Sequence, residues 1–177
     1  MIELRKASIT DLPEMMKLFE MGIQSLKRQG SPQWQDGYGP SSEKIAEDIQ
    51  NQESYVLLYA GQIAASAALV KGIDPVYTAI TDGHWSGEGP YASIHRVVVS
   101  DYFRGKQLSA YLLKALEQEA LAEGISDLRI DTYQANMGMQ KVILSCGYHY
   151  CGQVVFPIPH GERLAYQKII GKTENSN

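Results

Sequence analysis

Apolar residues change period several times along the chain, and each change marks an element. Met1–Lys6 alternates weakly, as a first strand would. From Thr10 the apolar residues Leu12, Met15, Met16, Phe19, Ile23 and Leu26 follow helical spacing. Thr10 is the predicted cap, and Pro13 fits the first turn, where backbone N–H groups have no intrahelical partner. Gly30–Ser42 gathers turn formers around Trp34 and Tyr38 and reads as a loop with aromatic contents, with a short helix over about 43–51 after it. Ser54–Ala60 and Gln62–Lys71 read as two strands of a hairpin turning at Gly61. An irregular connection runs on to about residue 90, where the β-branched run Tyr91–Val99 begins. It passes through Ser100–Phe103 into a helix with Leu108, Leu112, Ala115, Leu116 and Ala120 on one side, ended by Gly124. Asp127–Tyr133 alternates as a strand and Asn136–Cys146 suits a helix. Val154-Val155-Phe156 and Leu164–Ile169 supply two further strands. The order β-α-α-β-β-β-α-β-α-β-β predicts a mixed α/β fold with strong antiparallel content, and no internal repeat interrupts it.

With 177 residues and 44% hydrophobic content, one core is the default. A single domain is expected over 1–170, followed by a flexible tail over 171–177. The 16 Lys+Arg are outnumbered by 20 Asp+Glu, which argues against a broad basic face for nucleic acid or for an anionic membrane. No apolar run is long enough to span a bilayer, and Met1–Arg5 has no apolar leader region, so a cytoplasmic protein is expected. Cys146 and Cys151 have no second pair with which to complete a metal site and read as structural thiols. His84, His95, His149 and His160 lack the i, i+4 pairing of a helical zinc site, so no metal is predicted.

The segment richest in chemistry is Val97 to Ala110, where a buried strand breaks into a short loop and at once begins a helix. Such a helix start offers unpaired N–H donors and the positive end of a dipole, which suits a pyrophosphate, and Arg104 and Lys106 add charge. In this segment the chain resembles the GNAT superfamily of N-acetyltransferases. That family's cofactor signature is Arg or Gln, two residues, Gly, one residue, then Gly or Ala, after a strand ending in Val. Arg104 takes the first position, Gln107 stands where the first glycine would be and Ser109 where the second would be. In ordinary helical geometry Gln107 would keep its N–H available if its side chain pointed away. A second signature agrees: Asn136 opens a helix, and Gly147-Tyr148 follows Cys146 at its end. The likeness extends over nearly the whole chain.

The resemblance implies a largely antiparallel central sheet flanked by helices, whose parallel fourth and fifth strands splay apart around the pantetheine arm of acetyl-CoA. It assigns cofactor contacts to Val97, Val98 and Val99, to Arg104, Gly105, Lys106, Gln107, Leu108, Ser109 and Ala110, and to Asn136 and Met139. The Val99 N–H would polarise the acetyl carbonyl. Strand alternation puts His95 on one face with Val97 and Val99, beside the thioester, as the candidate general base. A bulge in this strand would reverse the alternation and bring Arg96 forward instead. Many family members carry a Tyr seven residues after the Asn to protonate the departing thiolate. Ile143 stands there, with Ser145 as a candidate substitute. Trp34, Tyr38, Trp85 and Tyr133 are the candidate acceptor contacts. The activity implied is direct transfer of acetyl from acetyl-CoA to an amine, with a homodimer as the family-level assembly; the aromatic, compact loops on the acceptor side point to a small-molecule amine, with a protein amine as the other acceptor class. The rival reading is a non-catalytic acyl-CoA sensor or regulatory module. A hydrolase built on Cys146 lacks a His or acid at an interpretable spacing.

Overall fold

The computed structural model describes residues 1–171. Seven strands form one sheet: β1 (Ile2–Lys6), β2 (Ser54–Tyr59), β3 (Gln62–Lys71), β4 (Tyr91–Val99), β5 (Asp127–Thr132), β6 (His149–Val155) and β7 (Glu162–Ile169), in the spatial order β1-β2-β3-β4-β5-β7-β6. Five helices accompany them: α1 (Leu12–Arg28), α2 (Ser42–Gln50), α3 (Pro75–Thr78), α4 (Leu108–Ala122) and α5 (Met137–Ser145). Only β4 and β5 are parallel; every other neighbouring pair is antiparallel. The hairpin between β2 and β3 turns at Ala60 and Gly61, with φ of 50° and 79°, a conformation glycine adopts freely.

Alternation in the strands divides the core between the two faces of the sheet. Tyr55 and Leu57 of β2, Ala92 and Ile94 of β4 and Leu128 and Ile130 of β5 pack with Leu108, Leu112 and Leu116 of α4 and Ile143 of α5. Val56 and Val98 point the other way, into Met15, Leu18 and Phe19 of α1 and Ile45 of α2. Farther along that second face, Tyr77 of α3 packs with Tyr91, Val154 and Ala165.

Two local expectations fail. Thr10 does not cap α1, because Ile9–Asp11 forms a turn of 3-10 helix ahead of it. The Asp11 carboxylate closes that turn by accepting from the Ser8 N–H at 2.8 Å and from Arg5 at 2.7 and 3.0 Å. The connection after β3 is not wholly irregular either: Asp74 caps the one-turn helix α3 by accepting from the Val76 N–H at 3.0 Å. The tail expected over 171–177 lies outside the described residues except for Gly171.

Candidate active site

The site begins where β4 and β5 part. Their parallel ladder runs from Tyr91↔Asp127 to Ile94↔Ile130 and then stops, although β4 continues to Val99 beside β3. The break coincides with a bulge. Arg96 has φ of 54°, and the register against β3 slips between Ser66 and Ala68, so that one extra residue of β4 is left unpaired. Arg96 is held there by a bidentate ion pair with the buried Asp48 of α2, at 2.7 and 3.0 Å.

Beyond the bulge, alternation restarts in the opposite phase. Ser100 N–H donates to Ala64 O at 2.8 Å and Val99 stands opposite Ala65. In an antiparallel ladder that makes Val99 a non-hydrogen-bonded position, with its N–H turned away from β3. It faces the side where β5 has already left the ladder. Val97 and Val99 pack against the α4 cluster and Val98 against the α1 cluster. His95, by contrast, neighbours Tyr77 and Phe156, at ring separations of 5.5 and 6.4 Å. The expected common face of His95, Val97 and Val99 is therefore broken by the bulge: His95 looks towards α3 and the segment just after β6, across the sheet from α4.

Two clefts meet at this opening. The first, of about 580 Å³, is lined by Val99, Arg104, Gln107, Ser109, Lys141 and Ser145, with Gly105, Leu108 and Ala110 completing the α4 side. It lies at the N-terminus of α4, which no side chain caps, whereas α2 and α5 are capped by Ser41 and Asn136. Open amides at the start of a 15-residue helix fit a pyrophosphate. Gln107, at the family's glycine position, is not helical: φ is 56° and ψ 34°. The glycine of the signature is thus a conformational requirement, met here by a residue carrying Cβ. Arg104 is exposed and paired with Asp101 at 3.0 Å, and Asp101 also meets Arg28 at 3.3 Å. Lys141, on α5, is a cation on this cleft that the spacing argument did not single out. Lys106 points elsewhere, with its ammonium 5.7 Å from the Tyr59 ring centre. Ser145 Oγ donates to Val142 O at 2.8 Å, and Ile143 is fully buried.

The second cleft, of about 300 Å³, is bordered by Trp34, Tyr38, His95, Asp131, Phe156 and Arg163. Val97, Asn136 and Met139 line it too, so both clefts reach the splayed strands. Trp34 stands edge-on to Phe19, with ring centres 6.1 Å apart. The other two aromatic candidates sit apart from this cavity. Trp85 donates to Tyr77 O at 2.8 Å and covers the guanidinium of Arg129, 4.6 Å from its ring centre, as a packing residue does. Tyr133 lines a separate depression behind Arg163.

His95 is embedded in a network that sequence reading missed. Its Nε2 lies 2.9 Å from Asp74 Oδ2 and its Nδ1 3.7 Å from Asp131 Oδ2, while Tyr77 OH donates to Asp131 at 2.6 Å. With Nε2–H donating to Asp74, Nδ1 is left as the acceptor nitrogen of a residue that lines the cleft, 3.7 Å from the Asp131 carboxyl and with no hydrogen bond of its own among the described residues. Burial pushes the Asp74 carboxyl up, but the hydrogen bond and charge of His95 and the backbone N–H groups of Val76 and Tyr77 outweigh it and hold Asp74 below the usual range. Burial dominates at Asp131, whose carboxyl is raised despite His95, Tyr77 and Arg163. Burial likewise pushes the Cys146 and Cys151 thiols up, as expected of structural cysteines.

A family model described as the acetyltransferase (GNAT) family matches residues 20–148. The chain belongs to that family. Among solved structures it is similar to a GNAT-family acetyltransferase of Streptococcus agalactiae, with 36% identity over 95% of each chain and a TM-score of 0.85. A GNAT-family acetyltransferase of Listeria monocytogenes shares the fold at 23% identity, over 96% of this chain and 95% of that one, with a TM-score of 0.75. So does the PaiA N-acetyltransferase of Thermoplasma acidophilum, solved in complex with coenzyme A, at 17% identity, over 96% and 99% of the two chains and with a TM-score of 0.67. Among curated proteins none matches. As a GNAT N-acetyltransferase the chain takes its acetyl group from acetyl-CoA. Its mixed sheet with parallel β4 and β5 is the fold the resemblance implied. Among the described residues no helix is long and apolar enough to cross a membrane, and no cluster of His, Cys, Asp and Glu could hold a metal.

Proposed function

We propose that this acetyltransferase acts on a small-molecule amine by direct transfer, with His95 as general base and the Val99 N–H as the donor to the acetyl carbonyl. The observation that carries this reading is the setting of His95: Asp74 holds Nε2, and Nδ1 is left without a hydrogen bond on a residue that lines a cavity reaching the splay between β4 and β5. The acetyl donor supplies an electrophilic thioester; the chain supplies position and proton transfer. The open amides at the start of α4, with Arg104 and Lys141, would hold the pyrophosphate. Val97 and Val99 would align the pantetheine arm through their backbone, and Asn136 and Met139 border its path. Nδ1 takes a proton from the incoming ammonium, the amine nitrogen bonds to the acetyl carbon and gives its second excess proton to water, and the carbon–sulfur bond breaks. The thiolate, with a pKa of about 8.5 for an ordinary thiol, takes its proton from water. Ser145 is a poor substitute acid because its hydroxyl proton is already given to Val142 O. A cavity of about 300 Å³ favours a small acceptor over a folded protein surface.

The test is His95→Gln. Acetyl-CoA affinity should be unchanged, turnover should fall by roughly 10²–10⁴, and the acidic limb of the pH–rate profile should vanish. Full turnover with the same acidic limb would remove His95 from the mechanism. Acetyl-CoA binding without amine-dependent thiol release, across a broad amine panel, would instead favour the sensor reading, which the buried Ile143 at the usual acid position keeps in view.

A further inference from the structure

Three cationic side chains border the acceptor cavity, Lys44, Arg96 and Arg163, and two of them are already answered by carboxylates. Arg96 holds Asp48 through two short hydrogen bonds, and Lys44 lies 3.9 Å from the same residue and 3.8 Å from Glu47. Arg163 differs. Its side chain is 7% exposed, and Nη1 donates to His160 O at 2.7 Å and Glu162 O at 2.9 Å. Nε and Nη2 make no hydrogen bond among the described residues, and the nearest carboxylate oxygen, Asp131 Oδ1, is 3.9 Å from Nε. Arg129, a second buried arginine, shows what a satisfied guanidinium looks like in this fold: it pairs with Asp127 at 3.0 and 3.3 Å. At 3.9 Å this pair is loose, and burial disfavours both charged forms, pulling the Arg163 guanidinium down and pushing the Asp131 carboxyl up.

From this geometry we infer that the acceptor carries its own carboxylate close to the reacting nitrogen, as an α- or β-amino acid does, and that Arg163 holds that carboxylate. The inference rests on the acetyl-transfer reading of the cavity. Asp131 measures the spacing: one oxygen is 3.9 Å from Arg163 Nε and the other 3.7 Å from His95 Nδ1. An anion on the guanidinium and an amine at the imidazole therefore flank one carboxyl group, which suits a substrate whose two charged ends are separated by one or two carbon atoms. The rings of Tyr133 and Phe156, with centres 5.3 and 5.7 Å from the guanidinium carbon, orient its plane and leave the fork for bidentate contact. Gln33 borders the same cavity with a buried Oε1 that has no partner, an acceptor suited to an ammonium N–H. Trp34, Tyr38 and Phe156 offer apolar surface to the remainder of the molecule. At about 30 Å³ per water, the cavity holds roughly ten waters' volume, the scale of one amino acid. A protein N-terminus has its first carboxyl tied up in a peptide bond and presents no such anion.

The test separates binding from turnover. N-acetylphenylalanine and N-acetylphenethylamine differ only in the carboxylate, and their binding can be titrated calorimetrically in the presence of coenzyme A. The carboxylate should bind about tenfold or more tightly, as a charge-assisted bidentate contact implies. That preference should collapse in Arg163→Met and persist in part in Arg163→Lys, in variants shown by circular dichroism to be folded. Equal affinity of the two compounds for the unaltered protein, binding by neither, or a preference that survives Arg163→Met would overturn the inference. Thiol release from acetyl-CoA is then followed with phenylalanine and phenethylamine. Faster release with phenylalanine supports both readings. A carboxylate preference in binding with thiol release from neither amine leaves the anion site standing and overturns acetyl transfer to such acceptors.

Discussion

Gln107 precedes α4 at φ 56° and ψ 34°, and its exposed side chain makes no hydrogen bond among the described residues. The left-handed region brings Cβ close to the following carbonyl oxygen and costs about 1–2 kcal/mol for a residue carrying Cβ. Glycine escapes that cost and instead loses about 0.5–1 kcal/mol of backbone entropy on folding. Gln107→Gly should therefore stabilise the fold by about 0.5–1 kcal/mol. In a domain of this size such a change raises the melting temperature by roughly 1–4 °C. Thermal unfolding followed by circular dichroism would read it, and Gln107→Ala is the control. Alanine keeps Cβ and removes only the exposed side chain, so its melting temperature should stay near that of the unaltered protein. Acetyl-CoA affinity should be preserved in both, because the open amides of α4 belong to the backbone. A melting temperature unchanged or lowered in Gln107→Gly, or raised equally in Gln107→Ala, would refute the claim that strain at this position is conformational.

Arg104→Glu should weaken acetyl-CoA about tenfold or more in titration calorimetry, since it adds a carboxylate beside Asp101 at the start of α4; unchanged affinity would place the phosphates elsewhere. Trp34→Ala should cost about 1–2 kcal/mol of stability through the lost contact with Phe19 and should also raise the Michaelis constant for the amine, not that for acetyl-CoA. Lost stability with both constants unchanged would make Trp34 structural only. Asp74→Asn bears on pH. The Asp74 carboxyl is held below its ordinary 3.8, so its contribution to stability is present above that value and is lost as pH falls through its lower folded value. Urea unfolding at pH 6 and pH 3 should show the gap between the unaltered protein and Asp74→Asn narrowing at the lower pH; a constant gap would argue against the ion pair with His95.

The strand order was legible because β-branched runs such as Tyr91–Val99 and the turn at Gly61 announce themselves locally. The missed helix, Pro75–Thr78, is one turn long and too short to display a period, although Asp74-Pro75 is a readable cap and first turn. The phase of β4 was not legible: the positive φ at Arg96 is enforced by Asp48, 48 residues earlier, and nothing in an arginine's chemistry announces it. The same distance hid the partners of His95. Asp74 and His95 lie 21 residues apart and meet only through the fold. One signal was available. Asp127, Arg129 and Asp131 alternate with Leu128 and Ile130, so one face of β5 carries charge into the interior, which a plain core strand does not do. Arg163 on the neighbouring strand belongs to that polar face and was overlooked for the same reason.

The bulge at Arg96 divides β4 into two segments with separate obligations. Upstream, Ala92–Ile94 has ladder partners in both β3 and β5; downstream, Val98 and Val99 pair with β3 alone and leave their other edge at the opening between β4 and β5. Because the slip absorbs a residue between them, side chains near His95 can be exchanged without re-registering the backbone beyond the bulge. On the proposed mechanism, acceptor choice and donor binding would be adjacent in space but separable by mutation, and a redesign aimed at a different amine would start from His95, Asp131 and Arg163 while leaving Val97 to Ala110 untouched.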